Sequence, residues 1–275
     1  MLTRIRHILA ASYPELWPYT GFLFLFGTLS ALKEGVPLPF SFLPYWLWFF
    51  AGANIFGMLL NDFYDRKLDA DNPRKNRLRL TFPEYWWGIA ISLLAFVLLE
   101  ALWPEIGVLW WVVVAIVINV AYSAPPLRLK TLPPFDLLGG PGSYLTAILA
   151  GYALVTDAWP SLSVSIAGCL FFVALDLAFK SLDIEADRRG GIRTSATILG
   201  RRGSALAASA SLVGAAVFLS LGHPLYAFAV LPYLGVTALI HGATTDAKRS
   251  RVNRLLPYVY VASGVAVTVA FYLLA

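Results

Sequence analysis

The sequence predicts an all-α integral membrane protein of about nine transmembrane helices with its N-terminus on the cytoplasmic side. Three observations carry this. The 275 residues are 59% hydrophobic and 13% charged, with a mean hydropathy of +0.69. Soluble domains run at about 45–50% apolar and about 25% charged. The apolar residues gather into runs of roughly 20, the length a helix needs to cross a bilayer. The basic residues collect in alternate loops, which is the bias that orients membrane proteins.

Taken in order, the runs fall near residues 16–32, 42–60, 86–103, 105–123, 136–156, 161–180, 204–221, 224–242 and 255–275. Gly35, Pro37 and Pro39 mark a turn after the first run. Pro104 separates the third from the fourth, and Pro160 the fifth from the sixth. The 9 Trp residues mostly fall near the ends of runs, where interfacial anchoring is their ordinary role. No cleavable signal peptide is expected, because no small-residue cut site clearly follows the run that starts near Leu16. No low-complexity linker or long polar insertion interrupts the pattern, so residues 1–275 read as a single domain.

A net charge of +5 suits nucleic acid, but its distribution points to the membrane instead. Placing alternate loops on alternate sides puts every one of the 21 Lys and Arg residues except Lys33 on one side. That side holds the N-terminus, the 61–85 and 124–135 loops, the 180–203 segment and the 243–254 loop. Basic loops stay cytoplasmic, so these segments are expected at the cytoplasmic face of the cell membrane, with the C-terminus outside. Cys169 is the single cysteine and lies in an apolar run; it excludes an intramolecular disulfide and reads as a packing residue.

Two acidic clusters fall on the basic face. The first is Asn61-Asp62-Phe63-Tyr64-Asp65-Arg66-Lys67-Leu68-Asp69. If the helix continues through it, Asp62, Asp65 and Asp69 share one face. Like charges so placed repel by about 0.2–0.5 kcal/mol per pair, and a cation between them explains the arrangement. Hard oxygen donors suit Mg²⁺, which takes one or two carboxylates together with substrate phosphates and waters. The second cluster is Asp176, Asp183, Glu185 and Asp187. Asp183 and Asp187 are spaced i, i+4, and Asp176 lies on the same face two turns earlier, inside the apolar run. A carboxylate there costs about 2.5–3.5 kcal/mol on insertion scales and is a functional hypothesis by default. The plainer reading pairs it with Lys180, four residues on. One acidic loop is compatible with a solvated face. Two loops, after the second and sixth runs, form a positional echo that suggests two four-helix halves plus a ninth helix. The stretch Tyr122-Ser123-Ala124-Pro125-Pro126-Leu127-Arg128-Leu129-Lys130 adds two cations on a proline-stiffened loop. Diphosphate recognition uses such donors beside a metal, while membrane anchoring is their simpler role.

These residues resemble the UbiA superfamily of intramembrane prenyltransferases. Asn61, Asp62, Asp65 and Asp69 fit its N-D-x-x-D-x-x-x-D pattern, and Asp183 and Asp187 fit D-x-x-x-D. Tyr122 to Lys130 is similar to its Y-S-x-P-P-x-R-x-K loop. The resemblance covers nearly the whole chain and implies a UbiA-like bundle. It implies Mg²⁺-dependent transfer of a prenyl group from an allylic prenyl diphosphate to a hydrophobic acceptor. By that resemblance Asp62, Asp65, Asp69, Asp183 and Asp187 hold the metal and serve catalysis, and Asn61, Tyr122, Arg128 and Lys130 contact substrate. Two stretches, Asn61 through Lys75 and Asp183 through Gly200, are similar to the lycopene elongase branch, which prenylates carotenoid ends. There are departures. Members often carry Arg-Pro in the first helix, where this chain reads Ser12-Tyr13-Pro14, and a further acid after the second motif, where it has Gly191.

Charge neutralisation of the diphosphate would let the allylic C–O bond ionise. Tyr64, Tyr122, Tyr144, Phe179 and Phe63 offer aromatic faces for the cation, or simply pack. No base stands out, and His7, His223 and His241 are scattered. The expected partners are a prenyl diphosphate, a lipophilic acceptor and membrane lipids, and not nucleic acid. The acceptor is a carotenoid such as lycopene or an aromatic quinone or chlorin precursor. An ion-coupled transporter is the competing class, compatible with Asp176 and the half-repeat. Transporters place such acids near the midplane at broken helices, whereas most acids here lie at helix ends beside basic loops.

Overall fold

The computed structural model describes residues 2–32, 34–66, 80–156, 158–221 and 224–242, with isolated positions between 245 and 262. Among the described residues every regular element is helical. In chain order these are α1 (Leu2–Ala11), α2 (Trp17–Leu32), α3 (Phe42–Asp65), α4 (Phe82–Leu102) and α5 (Ile106–Ser123). There follow α6 (Phe135–Thr156), α7 (Leu162–Ser181), α8 (Ile184–Arg189), α9 (Ser195–Ser220) and α10 (Leu231–Gly242). Six of them, α3, α4, α5, α6, α7 and α9, are long and apolar enough to cross a membrane. With 16 residues α2 is shorter, as is the apolar stretch Ala227–Gly242 that includes α10. Most of the run at 255–275 lies outside the described residues. The chain is a multi-pass membrane protein.

Three elements depart from the apolar runs, each for a local reason. The run-based reading passes over α1 because it is short and carries Arg4 and Arg6. Ile8 and Ala11, one turn apart, are nevertheless buried, in a cluster with Phe56, Leu59, Tyr85 and Ile89. α4 begins at Phe82 rather than near 86, because Thr81 and Glu84 form a capping box there. The Thr81 N–H donates to Glu84 Oε2 at 2.7 Å, satisfying a helix-end donor that would otherwise be orphaned. α9 begins at Ser195 rather than near 204, again from a capping box, formed by Thr194 and Thr197.

Contacts gather into two compact units. The first comprises Met1–Leu127 and Thr146–Trp159, the second Arg128–Leu145 and Pro160–Ala275. In the first, Phe24, Tyr45, Trp48, Phe49, Phe96 and Val108 form an aromatic-rich core. Trp48 is therefore not an interfacial anchor: it is buried, and its Nε1 donates to the Ser92 carbonyl at 3.0 Å. Trp86, Trp87, Trp110 and Trp159 are exposed, as an anchoring role requires. In the second unit α7 and α9 form the most extensive helix pair. Small residues make that possible: Ala174 and Ala178 are buried on α7, and Ala208 and Ala215 on α9.

At the Phe42 end of α3, roughly 30 Å along the axis from Asp65, a polar knot closes the first unit. The single hydroxyl proton of the fully buried Tyr45 is shared between Glu100 Oε1 and the Trp103 carbonyl, each 2.7 Å from the hydroxyl oxygen. Ser41 donates to Glu105 Oε1 at 2.6 Å, and the Glu105 N–H to Glu100 Oε2 at 3.2 Å. Tyr45→Phe removes the one donor that this carboxylate and this carbonyl share. Stability is expected to fall by about 1–3 kcal/mol, measured as a lowered midpoint of thermal unfolding in detergent.

Candidate active site

The first acidic motif sits on a helix, as its spacing requires. α3 continues through Asp62 and Asp65, and Arg66 caps its end. Asp69 lies outside the described residues. Earlier in α3, Trp48–Gly52 forms a π-turn. The inserted residue rotates everything after it by about 100° relative to an unbroken α-helix. The turn is held in place by Asn54, whose amide donates to the Phe50 carbonyl at 3.0 Å and accepts from Thr20 Oγ1 at 3.1 Å. A residue of α2 thus helps fix the facing of Asn61, Asp62 and Asp65. Asp65 is buried, and Asn61 and Asp62 are half-buried. Ser123, at the end of α5 beside half-buried Tyr122, reaches Asn61 Oδ1 at 3.4 Å.

The electrostatics of this helix end favour a cation. The C-terminus of a helix carries about half a negative charge, and each carboxylate in the last turn opposes it at a cost of about 0.3–1 kcal/mol. Asp62 and Asp65 also repel each other. Phe63, between them in sequence, packs into an aromatic cluster with Tyr64, Phe82, Tyr85 and Trp86 at centroid distances of 5.1–5.8 Å. The Arg66 guanidinium lies 4.9 Å from the Phe63 ring centroid. Phe63 is thus a packing residue. The described histidines form no ligand set either: His7 lies 3.7 Å from Glu84 and His241 is exposed, while His223 lies outside the described residues.

The second unit holds the basic loop and the second motif. Arg128 adopts φ 42°, ψ 53°, a left-handed conformation unusual for a residue with a side chain. The Thr131 N–H and hydroxyl both donate to its carbonyl at 3.0 Å and hold it there. Lys130 follows on a short 3₁₀ turn. Asp183 and Asp187 keep their i, i+4 relation, with the Asp187 N–H donating to the Asp183 carbonyl at 2.8 Å. Asp187 is further tied to the start of α9, where Thr194 Oγ1 reaches its Oδ2 at 3.4 Å.

Two arginines fasten α8 to α9. Gly200 takes φ 66°, ψ 179°, which kinks α9 and requires a residue without Cβ. Arg188 Nη2 donates to the Thr197 carbonyl at 3.1 Å, just before the kink. Arg201 Nη2 contacts both Glu185 carboxylate oxygens, at 2.8 and 2.9 Å. Glu185, part of the acidic cluster in sequence, is therefore an ion-pair partner of Arg201.

Asp176 is paired with Lys180, which also donates to the Asp136 carbonyl at 2.6 Å. The Asp136 carboxylate is fully buried and accepts from the Ser195 N–H at 2.9 Å and the Ser195 hydroxyl at 2.5 Å. It caps α9 from a residue 59 positions away in sequence. Sequence reasoning passed over Asp136 because it stands alone at the start of an apolar run. Its one local signal is that it is a charged residue followed by 20 residues without another Asp, Glu, Lys or Arg. Tyr144 rests on Phe172, with ring centroids 5.7 Å apart, and its hydroxyl feels the charge of Asp176.

The donors present are carboxylate oxygens at helix ends. Among the described residues no three or more His, Cys, Asp or Glu side chains gather as a closed metal site does. Such a sparse, hard donor set fits Mg²⁺, which completes its shell with phosphates and water, and does not fit zinc.

A model of the UbiA prenyltransferase family matches residues 21–272. The lycopene elongase/hydratase of Halobacterium salinarum is 32% identical over 226 residues, 78% of each chain. That of Haloferax volcanii is 33% identical over 247 residues, 86% of this chain and 80% of the relative. Among solved structures, a UbiA homolog from Archaeoglobus fulgidus bound to GPP and Mg²⁺ has a TM-score of 0.72 at 17% identity. The match covers 95% of this chain and 99% of that one, a likeness of fold.

Asp136→Ala removes the carboxylate that accepts from both the buried Ser195 hydroxyl and its N–H. Stability is expected to drop by about 3 kcal/mol. Asp136→Asn, which keeps one acceptor oxygen, is expected to lose less in the same thermal unfolding measurement.

Proposed function

The chain belongs to the UbiA prenyltransferase family, and on that premise we propose that it transfers a prenyl group from an allylic prenyl diphosphate to a carotenoid end, as in lycopene, with Mg²⁺. The observation that carries the diphosphate chemistry is the placement of carboxylate pairs at helix ends, Asp62 and Asp65 closing α3 and Asp183 and Asp187 following α7. The carotenoid acceptor rests on the similarity to the two archaeal lycopene elongase/hydratases.

Asp62, Asp65, Asp69, Asp183 and Asp187 hold Mg²⁺ in this reading. When bound, the metal supplies the charge neutralisation that makes diphosphate a competent leaving group. Arg128 offers the diphosphate a planar fork of donors and Lys130 a point charge. Asn61 and Tyr122 orient the head of the substrate. The apolar helices keep water from the allylic cation formed as the C–O bond breaks. Tyr64, Tyr122, Tyr144 and Phe179 present ring faces that stabilise it. The whole chain acts as one domain. Its basic loops and N-terminus face the cytoplasm, where a soluble diphosphate is available.

The direct experiment is expression in a lycopene-producing host followed by pigment mass spectrometry. A gain of one or two five-carbon units is expected. Unchanged lycopene, with prenylation of an aromatic acceptor instead, would reassign the acceptor. In isolated membranes, chelation of Mg²⁺ is expected to abolish turnover. Asp62→Ala and Asp183→Ala are each expected to lower kcat by about 100-fold or more while the protein remains folded. Full activity in either variant would remove its carboxylate from the metal set. Arg128→Lys keeps the charge and loses the fork, so it is expected to raise KM for the diphosphate more than it lowers kcat.

A further inference from the structure

Within the first unit, α3 and α5 meet at two successive turns. At the acidic motif Ser123 reaches Asn61 Oδ1 at 3.4 Å. One turn earlier on each helix, Asn119 of α5 faces Gly57 of α3. Residues four apart share a helical face, so the two contacts are stacked about 6 Å apart. Gly57 and Asn119 are both half-buried. From Ile106 to Ile118, α5 carries no charged, amide or hydroxyl side chain, and Asn119 is the first. A polar group at such a place is costly and is a functional hypothesis by default.

Glycine in a membrane helix ordinarily admits a neighbouring backbone. Gly27 and Gly151 do this: a Cβ on the first would run into the Ile148 carbonyl, and one on the second into the Phe24 carbonyl. Gly57 does not. Among the described residues, and apart from its own helix backbone, a Cβ there would meet a single atom, Asn119 Oδ1, at 3.4 Å. That is ordinary contact, and no positive φ demands a glycine at this position either. Gly57 therefore leaves a notch on α3 beside the amide. The amide is also oriented. Its Nδ2 donates to the Ala115 carbonyl at 2.8 Å, which leaves the oxygen as the end that faces the notch. The negative end of a fixed dipole thus points at a space one turn from Asn61.

We propose that the Gly57 notch seats the allylic end of the prenyl chain and that the Asn119 amide oxygen stabilises the cation formed there, an assignment that rests on the prenyl-transfer reading above. The allylic C–O bond breaks, and its electron pair leaves with the diphosphate. Positive charge spreads over the two ends of the three-carbon allyl system. Asn119 forms no bond and moves no proton. Its dipole lowers the energy of the charge as it develops, without reorganising, because the Ala115 carbonyl already holds it. The π electrons of the acceptor then form the new C–C bond. How the acceptor is discharged afterwards does not enter. Gly57 lies five residues before Asp62, about 7.5 Å along the helix, roughly the span from a carboxylate-held metal through a phosphate to the allyl carbons. Tyr122, three residues after Asn119, adds a ring on the same side of α5.

The test measures equilibrium binding of two unreactive five-carbon probes to the full-length protein in bilayer discs with Mg²⁺. One is an allylic thiolodiphosphate, with sulfur in place of the scissile oxygen, which resembles the ground state. The other is an ammonium analogue of the allylic cation, added with inorganic diphosphate. Asn119→Leu keeps the volume and removes the dipole. It is expected to bind the thiolodiphosphate as the wild type does and the ammonium analogue about 100-fold more weakly. Turnover should show the same split, with kcat falling and KM for the diphosphate unchanged. Gly57→Val fills the notch from the other helix and leaves the amide in place, so it is expected to weaken both probes by about 10-fold. Equal affinity of Asn119→Leu and wild type for the ammonium analogue, or an equal loss of both probes, would overturn the role of the amide. Unchanged binding in Gly57→Val would overturn the notch. A wild-type protein that binds neither probe overturns the prenyl diphosphate reading itself, an outcome distinct from any of these.

Discussion

A peptide carbonyl or N–H in the hydrocarbon core has no water to turn to, so each must find its partner within the protein. That constraint turns the apolar runs into helices, and it also governs every place where the helices are irregular. The π-turn in α3 is matched by the Asn54 amide, which donates to the Phe50 carbonyl. The Gly52 carbonyl in the same turn accepts from Ser92 Oγ at 2.7 Å. The kink at Gly200 is accompanied by Arg188 on the Thr197 carbonyl. The 3₁₀ start of α6 sends the Asp136 carbonyl to Lys180. In each case a polar side chain is committed to the backbone: the π-turn leads into the first acidic motif, the Gly200 kink follows the second, and the start of α6 follows the basic loop. Irregular backbone is what lets the helices aim their carboxylates, and the side chains that repair it are part of the site's support.

The same reasoning explains why buried charges in the second unit come as a connected set. Lys180 alone at that depth would be costly, and so would Asp176 or Asp136. Together they satisfy one another: Lys180 is shared between a carboxylate and a carbonyl, and Asp136 uses its carboxylate on Ser195. Removing one member strands the others, so the set behaves as a unit rather than as separate contacts. Its position links the end of α7 to the start of α9, the two anchors of the segment carrying Asp183 and Asp187. The network therefore ties together the two helices that flank the second motif.

Much of this was legible in the sequence, where the signal is local. Hydropathy marked the long helices, and the i, i+3 spacing of Asp62 and Asp65 survived because the π-turn lies upstream of both. The pairing of Asp176 with Lys180 was visible as an i, i+4 relation on one helix. What stayed hidden depends on partners distant in sequence. Nothing local to Asp136 announces Ser195, and nothing near Tyr45 announces Glu100. The starts of α4 and α9 were missed because polar capping residues precede the apolar stretch, and hydropathy discounts them. Phe63 was offered as a face for a cation; only the packing of Phe82, Tyr85 and Trp86 around it shows that its surface is already used.

Backbone strain at Arg128 bears on its role independently of any resemblance. A left-handed conformation costs a residue with a Cβ about 1–2 kcal/mol, and glycine would adopt it freely. The chain places the conformation at a position between two cis-proline pairs, Pro125–Pro126 and Pro133–Pro134, and braces it with two hydrogen bonds from Thr131. An arginine whose only task was to favour the cytoplasmic side would serve as well at any unstrained position of the same loop. Its place at the strained one is accounted for if the direction of the guanidinium matters, and not only its charge. A direction requirement is what bidentate recognition of a phosphate imposes and membrane anchoring does not. Of the two readings open for Arg128, substrate binding is the one proposed above, and a braced backbone would serve it.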